Sequence, residues 1–355
     1  MAPAQPGRTL HLHAGPHKTA STYLQARLQA NRRRLEAHGL RYPTPWGEHS
    51  HRHLARQLQA GQMAALEQLF AQQRRWSGDL LLSAEHFAPL VADAAALAGL
   101  RRLCAHAGYA LRVISYVRPQ AQLLDSFYAH GLARLYGTPG FTAYVKAQLA
   151  GRRLRGPASR RWIRLAPLAL DLEQRFAPLL AADAPPSRFL PFMPRRLDPF
   201  DQLIGELGLP CQAWHAAAAR QANEQLGRRG LGLAYLLNAE LDALPLKRNR
   251  LIAEHGLNRL VERIRALARR RGWVTDRFSG WQGARLPALL QERLGPGNER
   301  FARRVWGVGW EERFGPVAAA DGGDTARGLM IDQELRDQAR ELFLAYRRRL
   351  PPALR

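Results

Sequence analysis

Cysteine is nearly missing from this chain of 355 residues: Cys104 and Cys211 are the only two, far apart and in no metal-like pair. That scarcity excludes a disulfide framework and a cysteine-rich zinc site, and it suits a reducing compartment. No stretch of about 18 uninterrupted apolar residues offers a membrane span. Residues 1–8 are polar and lack the apolar core of a secretory leader, so a soluble, cytoplasmic protein is expected. Lysine is scarce too, with Lys18, Lys146 and Lys247 the only three among 53 basic residues.

Arginine therefore carries nearly all of a formal net charge of +24. Basic surfaces neutralise phosphates and release counterions, which brings nucleic acid and other polyanions into view. Here the arginines are scattered along helical patterns rather than gathered in one block. They also accompany much alanine, leucine and glycine, a composition that GC-rich coding produces without any partner. Nucleic acid is disfavoured on these grounds, and an anionic ligand or acceptor is preferred. With 46% apolar residues the chain can bury a full core, as one large domain or two smaller ones.

Short apolar runs alternate with longer helical ones through the first two hundred residues, which predicts an α/β fold with a parallel sheet flanked by helices. The expected strands are Thr9–His13, Asp79–Ser83, Leu111–Val117 and Arg188–Phe192, with a weaker one at Leu40–Tyr42. Helical spacing marks Tyr23–His38, His53–Trp76, Ala92–Ala107, Gln120–Leu135 and Leu165–Leu179. Asp198-Pro199 opens another helix that Gly208 stops. Beyond Pro210 only helices are expected: Glu224–Ala243, Arg248–Arg271, Leu286–Leu294 and Asp332–Arg349. Gly295-Pro296-Gly297 and Gly315–Gly323 read as connectors between them, and Gly151–Arg161 as an exposed basic loop. The organisation expected is an α/β nucleotide-binding core over 1–210 and a helical C-terminal region over 211–355.

Chemistry concentrates after the first strand, where His13-Ala14-Gly15-Pro16-His17-Lys18-Thr19-Ala20-Ser21-Thr22 leads into a helix. A Gly/Pro turn, a lysine and a run of hydroxyls at a helix start can cradle a phosphate or sulfate, because the first N–H groups of a helix are unpaired and its dipole is positive there. The motif is not a Walker A loop. His17 stands where glycine should precede the lysine, and Leu12 stands where the first glycine should be. A generic kinase or ATPase is disfavoured, though a relative of that fold is not. A second cluster follows the buried-strand pattern Val113–Val117: Arg118-Pro119, then Ser126 eight residues after the arginine. A strand-end arginine and a hydroxyl early in the next helix can converge on one phosphate, and the guanidinium fork grips two oxygens.

With both clusters in view, the chain resembles the sulfotransferases that use 3′-phosphoadenosine 5′-phosphosulfate (PAPS), especially their bacterial branch. The family's first loop, Gly-x-x-Lys-Thr-Gly-Thr-Thr, binds the 5′-phosphosulfate. Gly15, Pro16, His17, Lys18, Thr19, Ala20, Ser21 and Thr22 occupy it here, with Ala20 in place of the usual glycine. The family's 3′-phosphate motif, an arginine followed eight residues later by a serine, is matched by Arg118 and Ser126. Leu80–Glu85 and Arg220–Asn223 are further echoes, and the likeness covers residues 8–210 best. It implies a P-loop-like α/β fold, PAPS as donor and PAP as product, and no metal. It also implies Lys18 at the leaving group, hydroxyl and backbone donors from Thr19, Ser21 and Thr22, and a donor 3′-phosphate read by Arg118 and Ser126. Ala20 would matter little if its backbone were helical, although it would tighten the room beside the phosphosulfate.

A sulfuryl acceptor, whether glycan, lipid headgroup, small metabolite or peptide, needs a base for its hydroxyl or amine. Glu85, at the carboxyl edge after Asp79–Ser83, is the candidate, with His86 and His17 as competitors and a capping or ion-paired carboxylate as the plain alternative. The alternating histidines of Glu48–His53 could hold a metal or line a cleft loop, and Trp273, Trp281, Trp306 and Trp310 could stack on an acceptor or simply pack. The rival readings are a nucleotide-dependent kinase on a related fold, a polyanion or nucleic-acid binder, and a family member that keeps the nucleotide without turnover.

Overall fold

Five short segments form strands, three of them rich in leucine, valine or isoleucine, because such side chains fit a pleated surface buried on both faces. The computed structural model describes residues 7–44, 47–137, 139–152, 168–194, 196–210, 214–216, 226–281, 283–315 and 328–352. In chain order the first elements are β1 (Arg8–His13), α1 (Ser21–Ala30), α2 (Arg32–Ala37), β2 (Leu40–Arg41), α3 (Arg52–Gln59) and α4 (Ala64–Gln72). Then come β3 (Asp79–Ser83), α5 (Ala88–Val91), α6 (Ala94–His106), β4 (Tyr109–Val117), α7 (Gln120–Ala133) and α8 (Phe141–Leu149). The rest are α9 (Leu172–Leu180), β5 (Ser187–Pro191), α10 (Pro199–Glu206), α11 (Arg228–Asp242), α12 (Arg248–Glu254) and α13 (Leu257–Arg270). Last are α14 (Arg285–Trp306), α15 (Trp310–Phe314) and α16 (Gln333–Arg347). No helix among the described residues is long and apolar enough to cross a membrane.

The protein is α/β, with a five-stranded all-parallel sheet in the order β2-β3-β1-β4-β5. Leu12 lies opposite both Leu82 and Val113, so one register row is apolar across three strands. Alternation then sorts the side chains between two faces. Leu10, Leu12, Leu80, Leu82, Leu111 and Val113 share a core with residues of α3, α4, α6 and α9. Leu81, Ile114, Tyr116 and Leu190 share the other with residues of α1, α2 and α10. The order has a direct consequence: β1 lies between β3 and β4, so the segments following these three strands emerge side by side at the carboxyl edge.

The chain divides into two compact units, each assembled from separate segments. The sheet unit comprises Met1–Pro119, Asp171–Asn223 and Gly297–Phe314, and the second unit Gln120–Leu170, Glu224–Pro296 and Gly315–Arg355. This differs from the single break at residue 210 suggested by the order of strand and helix signals, because α7 and α8 belong with the later helices. Leu231, Leu237 and Leu241 of α11, Val261 and Ile264 of α13, and Leu335 and Phe343 of α16 build the second unit's own core.

Several expected helices are divided by identifiable residues. Asn31 Nδ2 donates to the Arg27 carbonyl (2.8 Å) and separates α1 from α2. Gly61 and Gly256, with φ of +78° and +64°, separate α3 from α4 and α12 from α13. The reverse error occurs at Gly295-Pro296-Gly297, expected as a connector but helical within α14. α8 and α15 were not expected. The basic loop beyond residue 152, Cys211, Arg220–Asn223 and the connector after Gly315 lie outside the described residues.

Candidate functional site

The loop after β1 begins as an extension of the sheet. Ala14 N–H donates to the Ile114 carbonyl and Tyr116 N–H to the Gly15 carbonyl, both at 2.9 Å. Gly15 has φ +70°, and a Cβ there would lie 2.8 Å from Glu85 Cα, so glycine is what lets the loop pass beneath the turn after β3. Lys18 and Ala20 are also left-handed, at φ +68° and +59°, a conformation that costs a residue with a Cβ about 1–2 kcal/mol. Ala20 is thus not helical; it is the N-cap of α1, where a glycine would be relaxed.

The hydroxyls have separate fates. Thr19 is buried, and its Oγ1 donates to the Pro16 carbonyl (2.6 Å), so it closes the loop on itself rather than presenting a donor hydroxyl to a ligand. Ser21 is buried and Thr22 exposed at the start of α1, whose N-cap makes no side-chain capping bond. The first-turn N–H groups of Ser21, Thr22 and Tyr23 are therefore not capped by the Ala20 side chain, as an anion cradle requires. The next residue, Tyr23, donates its hydroxyl to Asp198 (2.5 Å); burial and that carboxylate push its pKa up to about 12.

Two fully buried histidines fix the end of β3. His13 Nδ1 lies 2.7 Å from Ser83 Oγ. His51 Nδ1 accepts the Ser83 N–H (3.0 Å), which leaves its Nε2–H to donate to the Pro43 carbonyl (2.6 Å). Burial lowers the pKa of each to about 4, so both are neutral in ordinary buffer. The alternating-histidine segment thus supplies one structural clasp, His51, while His49 and His53 are exposed. Among the described residues no group of three or more His, Cys, Asp or Glu could hold a metal ion.

Directly after this clasp, Glu85 opens a single 3-10 turn, Glu85–Phe87. Its Oε1 lies 3.7 Å from His86 Nδ1 and 3.9 Å from His17 Nδ1, and Gln25 Nε2 donates to Oε2 (3.4 Å). The two imidazoles meet edge to face at 5.3 Å. Burial opposes ionisation of Glu85. Its own backbone N–H, His17, His86 and Gln25 outweigh that penalty and hold the carboxyl below the usual glutamate range. Burial likewise depresses His17 and His86, more than the neighbouring carboxylate raises them. The result is an ionised carboxylate flanked by two imidazoles biased toward the neutral form.

At the end of β4, Arg118 Nη1 donates to the Lys18 carbonyl (2.6 Å), and its guanidinium lies 5.3 Å from the Phe192 ring centroid. The structure therefore brings Gly15–Ser21, Glu85, His86 and Arg118 together at one sheet edge. At least one N–H of Arg118 holds the first loop, a role its spacing from Ser126 did not suggest. Ser126 is buried in the second turn of α7 and belongs to the other unit.

The tryptophans are packing residues. Trp306 Nε1 donates to the Phe189 carbonyl (2.7 Å), Trp310 is buried, and Trp281 Nε1 donates to the Ala121 carbonyl (3.1 Å). Trp273 packs partly buried at the second unit's core, beneath Arg229. Sequence reasoning missed Arg175 of α9, whose positive charge acts on the His17 ring. The only available signal was a charged residue on an otherwise apolar helical stripe. No protein-family model, curated protein or solved structure matches the chain.

Proposed function

We propose that the sheet unit binds PAPS and that the protein transfers its sulfuryl group to a hydroxyl or amine acceptor. One observation carries the reading: the Lys18 loop is tied by its own backbone to Arg118 and passes against Glu85 at Gly15. A lysine, an uncapped helix start and an ionised carboxylate then share one sheet edge.

When bound, the donor supplies an electrophilic sulfuryl group. Lys18 and the first-turn N–H groups of α1 would offset negative charge on the leaving phosphate. Arg118 would hold the Lys18 backbone and take the donor's 3′-phosphate. Glu85 would accept the acceptor proton through a carboxylate oxygen, with Gln25 holding the other oxygen in place.

Calorimetry with PAP, against ATP with and without magnesium, tests the reading. PAP binding without metal, lost in Arg118→Ala, and transfer abolished in Lys18→Ala are the expected results. ATP binding that requires magnesium would favour the kinase reading. Salt-sensitive polyanion binding indifferent to Lys18→Ala would favour the basic module. Undiminished turnover in Lys18→Ala would sink the assignment.

A further inference from the structure

The first loop pins His17 from both sides. The carbonyl before it, on Pro16, accepts the Thr19 hydroxyl, and the carbonyl after it, on Lys18, accepts from Arg118, both at 2.6 Å. Two residues earlier, Gly15 passes so close to the next turn that a Cβ would lie 2.8 Å from Glu85 Cα. The backbone thereby delivers the His17 ring to the Glu85 carboxylate, with Nδ1 3.9 Å from Oε1. Gln25 Nε2 donates to the other oxygen, Oε2, and to the Ser83 carbonyl, each at 3.4 Å. Oε1 is left as the oxygen that faces imidazoles, with His86 Nδ1 3.7 Å away.

Exposure separates the three side chains. Those of Glu85 and His86 are 21% and 19% exposed, whereas that of His17 is 52% exposed. His86 is also tied down by its own turn, its carbonyl accepting from Gln59 Nε2 of α3. His17 is therefore the imidazole that meets both the carboxylate and bulk water. An acceptor seated over Glu85 would cover what little of the carboxylate faces solvent, just when a proton arrives there. Burial lowers the His17 pKa more than Glu85 raises it, and His86, Lys18 and Arg175 add to the lowering. The ring is thus biased toward the neutral form, which keeps one nitrogen lone pair for a proton. Its 3.9 Å separation is about 1 Å beyond a hydrogen bond, a gap that a half-exposed ring closes by turning.

We infer that His17 relays to solvent the proton that Glu85 takes from the acceptor, an inference that rests on the sulfuryl-transfer reading. In the transfer, the acceptor oxygen or nitrogen bonds to sulfur, and the bond from sulfur to the phosphate oxygen breaks with its electron pair leaving on PAP. The acceptor proton passes to Glu85 Oε1. The Glu85 O–H then breaks and its proton bonds to His17 Nδ1, which restores the carboxylate and leaves an imidazolium. The imidazolium gives a proton to water or buffer and is neutral again, the ordinary work of a histidine shuttle.

Two measurements on the full chain test the relay. In the first, without donor, NMR follows the His17 ring through a pH titration of the native chain and of Glu85→Gln. Loss of the carboxylate charge should lower the His17 midpoint by about 0.5 pH unit or more. An unchanged midpoint would overturn the inference. In the second, PAP release is followed from PAPS with 4-nitrophenol, glucosamine or serinol as acceptor in dilute buffer. His17→Ala should release one PAP per site in a burst and then turn over about tenfold or more slowly than the native chain, because Glu85 stays protonated. Added imidazole should restore the later turnovers of His17→Ala saturably and should not restore Glu85→Gln. A slowed first turnover without a burst would make His17 a mere support of the loop. That result, no imidazole rescue, or rescue of His86→Ala in its place would overturn the relay and leave sulfuryl transfer standing. No PAP release by the native chain with any acceptor, water included, would remove the transfer reading and the relay with it.

Discussion

Several buried polar side chains of the second unit bond to backbone. Gln120 donates to the Leu170 carbonyl, Gln148 accepts the Leu168 N–H, and Arg248 donates to the Asn238 carbonyl. Asn238 accepts the Gly137 N–H (2.8 Å) and donates to the Ala234 carbonyl (2.9 Å). In the sheet unit His13, Ser83 and His51 gather at the strand ends beside the loop, and His13 Nε2 has no partner among the described residues. Left-handed Lys18 and Ala20 lie in that same loop. In the second unit these bonds staple helices, although Tyr346 Oη there also lacks a partner among the described residues and Leu135 is left-handed; in the sheet unit strained and unsatisfied groups crowd one loop, as functional sites do at the expense of stability.

Breaking the site without the scaffold should have the largest effect. Glu85→Gln should lower kcat by about 10²–10⁴ with PAP affinity unchanged, if the carboxylate is the base. Because that carboxyl is held below its usual range, the acid limb of native kcat should fall beneath the ordinary glutamate range, which a pH–rate profile reads directly. Acid should also distinguish the units. His13 and His51 have folded pKa values of about 4 against 6.5 unfolded, so the unfolded chain binds more protons between those values. Their contribution is whole above pH 6.5 and is lost as pH falls through that window, about 2–3 kcal/mol for each by about pH 4.5. Urea unfolding of the native chain and of His13→Gln and His51→Gln at both pH values checks this; equal acid losses in all three would refute it.

Smaller effects sharpen the contrast from the other side. Asn238→Ala should destabilise by about 1–3 kcal/mol, because it orphans the buried Gly137 N–H, and should leave PAP affinity untouched. A drop in PAP affinity would mean the stapling unit does more than staple. Ala20→Gly should raise stability by about 0.5–1 kcal/mol, the relief of a left-handed Cβ less the added freedom of the unfolded glycine. A fall in Tm on calorimetry would contradict the strain.

Most of the sheet was legible because its strands are short aliphatic runs with sharp ends; Asp79–Ser83 coincides with β3. Helix interruptions were less so, since Asn31 acts through a side-chain bond to the Arg27 carbonyl and Gly256 through one positive φ. Gly295-Pro296-Gly297 misled in the other direction: composition alone reads as a break where α14 continues. In the site, the Gly15–Thr22 loop, Glu85 and Arg118 were visible as residue types at strand ends. The commitment of Thr19 to Pro16, the His51 clasp and the approach of Arg175 were not. Thr19 and His51 act through bonds that local spacing does not encode, the second across 32 positions of chain, and Arg175 influences the His17 ring from 158 positions away.

The scarcity of lysine gives the loop an unusual chemical address. Lys18 is the sheet unit's sole primary-amine side chain and is only partly exposed, whereas Lys146 and Lys247 are exposed in the second unit. An amine-reactive reagent read by mass spectrometry would then mark three side chains at most, one in the candidate loop and two in the second unit. Occupancy of the loop becomes the disappearance of a single label, with two built-in references on the same molecule.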